Sequence, residues 1–148
     1  MKVTFCGHAD AHLLEKELKI LENRVVDIVK QNHNCQFYLG GYGNFDFLCY
    51  ELLTKIKEKY NGIERIFVTP YIADNYSKLK DNAKIYDSVI YPEIENCPLK
   101  FAIERRNKWM IKNADIVICF VNRNYGGAYK TLQYAKSQKK EYINIAEK

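Results

Sequence analysis

Alternating strand and helix patterns predict an α/β fold for this chain: a mostly parallel, doubly wound sheet with helices on both faces. Three observations carry the prediction. Short apolar runs alternate with longer segments of helical periodicity, and such alternation needs crossover connections and so a parallel sheet, here of about five to six strands. The run from Asp115 to Val121 is apolar almost throughout, as expected of a strand covered on both sides. Polar, glycine-bearing turns follow two of the strands, where folds of this class place their ligands.

Each element has its own signal. Lys2 to Cys6 reads as a strand that stops at Gly7-His8, and Asp10 is placed to cap the following helix. In that helix Leu14, Leu18, Leu21, Val25 and Ile28 recur at steps of four and three, to about Gln31. After the turn Asn32-His33-Asn34, Cys35 to Leu39 forms the second strand and ends at Gly40-Gly41-Tyr42-Gly43. Asn44 can cap the next helix, in which Phe45, Leu48, Leu52 and Ile56 keep helical spacing until Asn61-Gly62. Glu64 to Thr69 is the third strand, closed by Pro70. Tyr71 to Asp87 is weakly patterned and reads as a long loop with one helical turn. Ser88 to Tyr91 forms a fourth strand, stopped by Pro92.

A basic helix begins just after Pro98. Ile103, Arg106 and Met110 share one of its faces, so Arg106 should be desolvated and require an anionic partner. The strand Asp115 to Val121 follows and is broken by Asn122-Arg123-Asn124-Tyr125. Gly126-Gly127 then opens a helix over Ala128 to Gln138, and Glu141 to Ile145 is a last strand. Without repeats, low-complexity tracts or linkers, residues 1–148 are expected to form one Rossmann-like domain.

Composition narrows the function. A chain of 148 residues, 47% hydrophobic and 14% aromatic, can bury a core and is not disordered. The net charge of +5 is modest, its lysines are scattered, and no basic stripe is interleaved with aromatics. That disfavours nucleic acid and fits an anionic small molecule. No apolar run reaches the length of a membrane span and no signal-peptide pattern follows Met1-Lys2, so a soluble, cytoplasmic protein with no membrane partner is expected. The five cysteines form no C-x-x-C pair. Cys6, Cys35 and Cys119 lie in strand-like runs, and neither Cys49 nor Cys97 has a histidine placed to make it a nucleophile.

The residues at the carboxyl ends of the strands are His8, Gly40 to Asn44, Tyr71 and Asn122 to Gly127. Gly40, Gly41, Tyr42 and Gly43 stand between a strand and a helix, the setting of a phosphate loop. The dinucleotide fingerprint nevertheless fails, because Asp46 occupies the third glycine position and the next strand ends Val68-Thr69-Pro70 without an acidic ribose ligand. Lys130-Thr131 is not a P-loop ending either, since Tyr129 and Tyr125 stand where glycines are needed. Gly126 and Gly127 suit an anion nest at a helix start. His8 and His12 are four apart, but Ala9 replaces the glutamate of a zinc-binding helix and no third ligand is evident. No metal and no cofactor are expected, and His8 is assigned to the pocket lining. Tyr42, Tyr125 and Tyr129 flank the glycine loops and can stack a base. Asp46 could accept from ribose hydroxyls, act as a general base, or simply suit the positive end of its helix.

Taken together, Arg106-Asn107-Lys108-Trp109-Met110, Ala114-Asp115, the apolar strand and Gly126-Gly127 with Thr131 resemble the SLOG superfamily. Cys6-Gly7-His8 and Gly40-Gly41-Tyr42-Gly43-Asn44-Phe45-Asp46 extend the likeness over nearly the whole chain. Within the superfamily it is most similar to the YpsA-like branch, related to the LONELY GUY cytokinin-activating phosphoribohydrolases. The resemblance implies recognition of a nucleotide or nucleotide-derived ligand. Its phosphate would meet the Gly126-Gly127 nest and Arg106. Asp46 with the Gly40 to Gly43 loop would hold the sugar or a second phosphate, and a tyrosine would cover the base. Asn107, Asn122, Tyr125 and Thr131 complete the expected ligand-binding set. In the phosphoribohydrolases a loop P-G-G-x-G-T-x-x-E supplies the glutamate that works with the arginine. Here Tyr125 stands for the proline and Tyr134 for the glutamate; aligned on the earlier loop, the glutamate position is Phe47, with Asp46 one place off. The phosphate-holding residues are kept and the carboxylate is not, which points to a binder used for sensing or sequestering a signal. The alternative is an N-glycosidic hydrolase in which Asp46 acts as acid/base or nucleophile. The resemblance also implies a homodimer or larger homo-oligomer, with Trp109 facing another chain.

Overall fold

The computed structural model describes residues 1–70, 85–92 and 97–146. Its sheet has six strands, all parallel: β1 (Lys2–Gly7), β2 (Cys35–Leu39), β3 (Ile63–Val68), β4 (Ser88–Ile90), β5 (Ile116–Phe120) and β6 (Glu141–Asn144). Four α-helices accompany them among the described residues: α1 (Glu15–Gln31), α2 (Asn44–Lys57), α3 (Ala102–Asn113) and α4 (Gly127–Ser137). The spatial order is β4-β3-β2-β1-β5-β6. The chain therefore walks outward from β1 through β4, then returns to the other side of β1 with β5. Right-handed crossovers in opposite directions must use opposite faces of the sheet.

The core divides accordingly. On one face Val3, Phe5, Phe37, Leu39, Ile116, Ile118 and Phe120 pack against Leu21, Val25 and Val29 of α1 and Phe45, Cys49 and Leu53 of α2. On the other, Cys6, Val117, Cys119 and Val121 meet Ile111 of α3 and Leu132 and Ala135 of α4, while Tyr38, Ile66 and Val68 meet Met110. Strand residues alternate between the two faces, as the pleat requires. In register, Val3 lies opposite Ile116 and Gly7 opposite Phe120. A Cβ at Gly7 would overlap the Phe45 ring, so the glycine lets the start of α2 sit directly on β1.

Several expectations change. Asp10 does not cap α1. That helix starts at Glu15 with Leu14 at its N-cap, and the Glu17 carboxylate accepts from the Leu14 N–H at 2.8 Å. Leu14 and Leu18 are exposed, and the buried stripe is Leu21, Val25 and Val29. His8 and His12 precede the helix, so no helical face presents them together. Gly43, not Asn44, is the N-cap of α2. A short 3₁₀ turn, Leu99–Phe101, intervenes before α3. The loop expected from Tyr71 lies outside the described residues as far as 84.

Candidate functional site

Where the chain reverses direction, the loops after β1 and β5 diverge to opposite faces and leave a crevice at the carboxyl ends of the strands. A cleft of about 290 Å³ lies there. Of the residues expected from sequence, His8, Gly40, Tyr42, Asp46, Arg106, Asn107, Gly127 and Thr131 line it, joined by Cys6, Arg123 and others. Gly41, Gly43, Asn44, Asn122, Tyr125 and Gly126 do not.

The two glycine loops turn out to differ in kind. In the first, the Gly40 and Gly41 N–H groups donate to the two Asp46 carboxylate oxygens at 2.8 and 2.9 Å. Asp46 thus closes the loop on the first turn of its own helix, and those amides are engaged by the protein itself. Burial raises its pKa to about 6 against the opposing pull of the two glycine N–H groups and Arg106. Gly43 has φ +93 and a Cβ there would come within 2.8 Å of the Ala9 Cα. The Asn44 N–H donates to the Ala9 carbonyl at 2.9 Å and its Nδ2 to the Ala11 carbonyl at 3.3 Å. Gly41, Gly43 and Asn44 are therefore architecture around the cleft: Gly41 ties the loop after β2 to α2, and Gly43 and Asn44 fasten α2 to the loop after β1.

The second loop is open. Gly126, at φ +92, is the N-cap of α4, and no side chain caps the helix. Nothing lies within 4 Å of a Cβ built on Gly126 or Gly127. The first-turn N–H groups of an uncapped helix are available to an external acceptor. The Thr131 hydroxyl bonds back to the Gly127 carbonyl at 2.9 Å.

Arg106 is 4% exposed, and its guanidinium donates to the carbonyls of Gly40 and Val68, both at 2.8 Å. Its Nε donates to the Asn107 Oδ1 at 2.9 Å. The expected anionic partner is thus joined by neutral ones: Arg106 lies close enough to lower the Asp46 pKa, while its direct bonds to Gly40 and Val68 pin the ends of β2 and β3 to α3. Ile103, expected on the same buried face, is exposed at the cleft mouth. The bond to Oδ1 also orients Asn107, whose NH₂ is left as the donor end of the amide.

His8 is buried, and its Nε2 accepts the Asn122 N–H at 3.3 Å. Burial lowers its pKa, helped by Arg123 and opposed by Asp10, so at neutral pH the ring is uncharged with its proton on Nδ1. Asn122 itself is exposed, contributing its backbone rather than its side chain. The Cys6 thiol donates to the Ala128 carbonyl at 3.3 Å and burial pushes its pKa up to about 12, leaving it inert as a nucleophile. Tyr42, 78% exposed, stands on the rim. Tyr125 is also exposed and lies under the Arg123 guanidinium, 5.0 Å from its carbon.

Arg123 was not singled out from sequence. Its terminal nitrogens form a two-point pair with Asp10 at 2.9 and 3.1 Å, which ties the loop after β5 to the loop after β1. Its Nε is buried with no hydrogen-bond acceptor among the described residues, a state that asks for a partner. An arginine just past the end of an apolar strand was the available signal. No group of acidic, cysteine or histidine residues that could hold a metal occurs among the described residues, nor does any helix there suffice to cross a membrane.

No family model and no curated protein matches the chain. Solved structures do. DNA processing protein A from Helicobacter pylori, described for its single-stranded DNA binding mode, is 15% identical with a TM-score of 0.62, over 96% of this chain and 63% of its own. DNA processing protein A from Streptococcus pneumoniae is 17% identical with a TM-score of 0.64, over 95% of this chain and 48% of its own. This chain thus spans less than two thirds of either protein. The molybdenum cofactor carrier protein from Chlamydomonas reinhardtii is 14% identical with a TM-score of 0.56, over 97% of this chain and 75% of its own. At such identities the likeness shows the fold alone, which is Rossmann-like.

Proposed function

We propose that residues 1–148 act as one domain that binds a nucleotide or nucleotide-derived small molecule in the cleft between β1 and β5, to sense or sequester it. The observation that carries this reading is the open, uncapped start of α4: nothing lies within 4 Å of a Cβ at Gly126 or Gly127, and Gly127 lines the cleft together with Arg123. A phosphate oxygen supplies the acceptor that the first-turn N–H groups lack. On this reading the phosphate meets Gly127, the Asn107 amide lies alongside, and Tyr42 covers the base. Two of the similar structures are in keeping with it, one being a single-stranded DNA binder and one a cofactor carrier.

Gly127→Asp tests the reading. A carboxylate at that position occupies open space and suits the positive end of α4, so the melting temperature should hold or rise. The same charge should weaken binding of AMP or ADP-ribose by about tenfold or more, measured by calorimetry. Equal affinity in variant and wild type would sink the proposal.

One observation favours hydrolysis instead. A carboxyl group in the cleft with a pKa of about 6 is suited to proton transfer near neutral pH. Release of free base and ribose phosphate from a nucleotide, with turnover, would establish that reading. Intact recovery of the bound ligand by mass spectrometry would reject it.

A further inference from the structure

Beside the cleft, between α3 and α4, runs a groove of about 260 Å³. The two share Ile103, Asn107, Gly127 and Thr131 as common walls, so the groove opens from the cleft over the start of α4. Its lining carries three lysines, Lys100, Lys108 and Lys130, and one carboxylate, Glu104. Glu104 is engaged by Lys108 at 3.3 Å. Lys100 sits over the Phe101 ring, 5.0 Å from its centroid, and neither Lys100 nor Lys130 has a carboxylate partner among the described residues. The groove therefore holds an excess of positive charge, in a concavity where the field of exposed lysines is least dispersed.

Size points the same way. The cleft alone is at the lower end of the range for small-molecule sites, which starts at roughly 300 Å³. A ligand with a single phosphate would fill it and leave the lysine groove unused.

We propose that the groove between α3 and α4 is a second anion subsite, and that the ligand carries two phosphoryl groups, one at Gly127 and one between Lys100 and Lys130. This rests on the cleft being a nucleotide site. The shared chemistry is a second phosphate, supplied either by the pyrophosphate of a dinucleotide-type molecule or by the next phosphodiester of a short single strand.

Calorimetry with AMP, ADP-ribose and a deoxyadenosine tetranucleotide, on wild type and on a Lys100→Gln/Lys130→Gln double variant, separates the possibilities. Both lysines are exposed, so the variant is expected to fold, and its melting curve checks this. In wild type at least one longer probe should bind about tenfold more tightly than AMP, with the excess shrinking as salt is raised. The double variant should erase most of that excess and leave AMP within about twofold. Which longer probe shows the excess names the source of the second phosphate. AMP binding as tightly as both longer probes would overturn the second subsite while leaving the cleft reading intact. So would a double variant that weakens AMP and the longer probes equally. Failure of all three probes to bind wild type would remove the cleft reading, and this inference with it.

Discussion

Replacing Arg106 with methionine should cost about 3–5 kcal/mol of stability, lowering the urea midpoint and the melting temperature together. The side chain is buried, and its Nη1 donates to the carbonyls of Gly40 and Val68 at once. Methionine fills the volume but leaves both carbonyl oxygens without that donor, in a region they cannot leave because Val68 ends β3 and Gly40 directly follows β2. Each such loss is worth about 1–3 kcal/mol. Lysine should recover only part of it, since its ammonium can stand in for Nη1 at the two carbonyls but cannot replace the Nε bond to Asn107. A loss below about 1 kcal/mol would refute the clamp, because it would mean the carbonyls find water as readily as the guanidinium. The same geometry predicts sensitivity at Gly40, where a Cβ would stand 3.2 Å from the Arg106 guanidinium.

The second large effect is a pH dependence centred on Asp46. Its pKa is about 6 in the folded chain against an ordinary 3.8. The folded state thus holds the proton more tightly, so this group's contribution is fully present below about pH 4 and is lost as pH rises through about 6. Over that interval the loss amounts to about 3 kcal/mol. His8 acts in the opposite sense. With its pKa lowered, it contributes above the ordinary 6.5 and loses that contribution as pH falls. Asp87, held at about 2 by Arg65 and Lys57, matters only at lower pH, between about 4 and 2. Comparing wild type with Asp46→Asn from pH 4 to 7.5 cancels the His8 term and isolates Asp46. Wild type should lose about 3 kcal/mol more than the variant across the interval. Parallel curves would show that the Asp46 charge is as well accommodated in the fold as in water. The asparagine keeps one acceptor of two, so a pH-independent loss of about 1 kcal/mol is expected beneath this difference.

Much of the fold was legible because the sheet is buried on both faces: the run from Ile116 to Val121 is apolar without interruption, those ending at Cys6 and Leu39 are broken only by Thr4 and Gln36, and few other environments permit that. The start of α1 was less so. Leu14 and Leu18 continue the periodic pattern outward beyond the sheet, where periodicity persists but burial does not. At the site, sequence placed the right loops at the right ends of the strands, because the crevice follows from doubly wound topology. It could not tell an engaged glycine loop from an open one. That distinction depends on whether a carboxylate folds back onto the amides, as Asp46 does at Gly40 and Gly41, and nothing comparable faces Gly127. Nor could it pair Asp10 with Arg123, which are joined only because β5 docks beside β1.

That central pairing also sets an order of assembly. β1, β2 and β3 with α1 and α2 are contiguous in the chain, whereas β1 meets β5 across a long loop whose closure costs entropy before any contact repays it. The cleft draws one wall from each side of that closure, His8 from the early part and Arg123 and Gly127 from the late part. Competence to bind should therefore emerge last. In refolding, ligand capture should trail the recovery of helical signal, and capture that kept pace with the earliest helix would show that the late strand docks first.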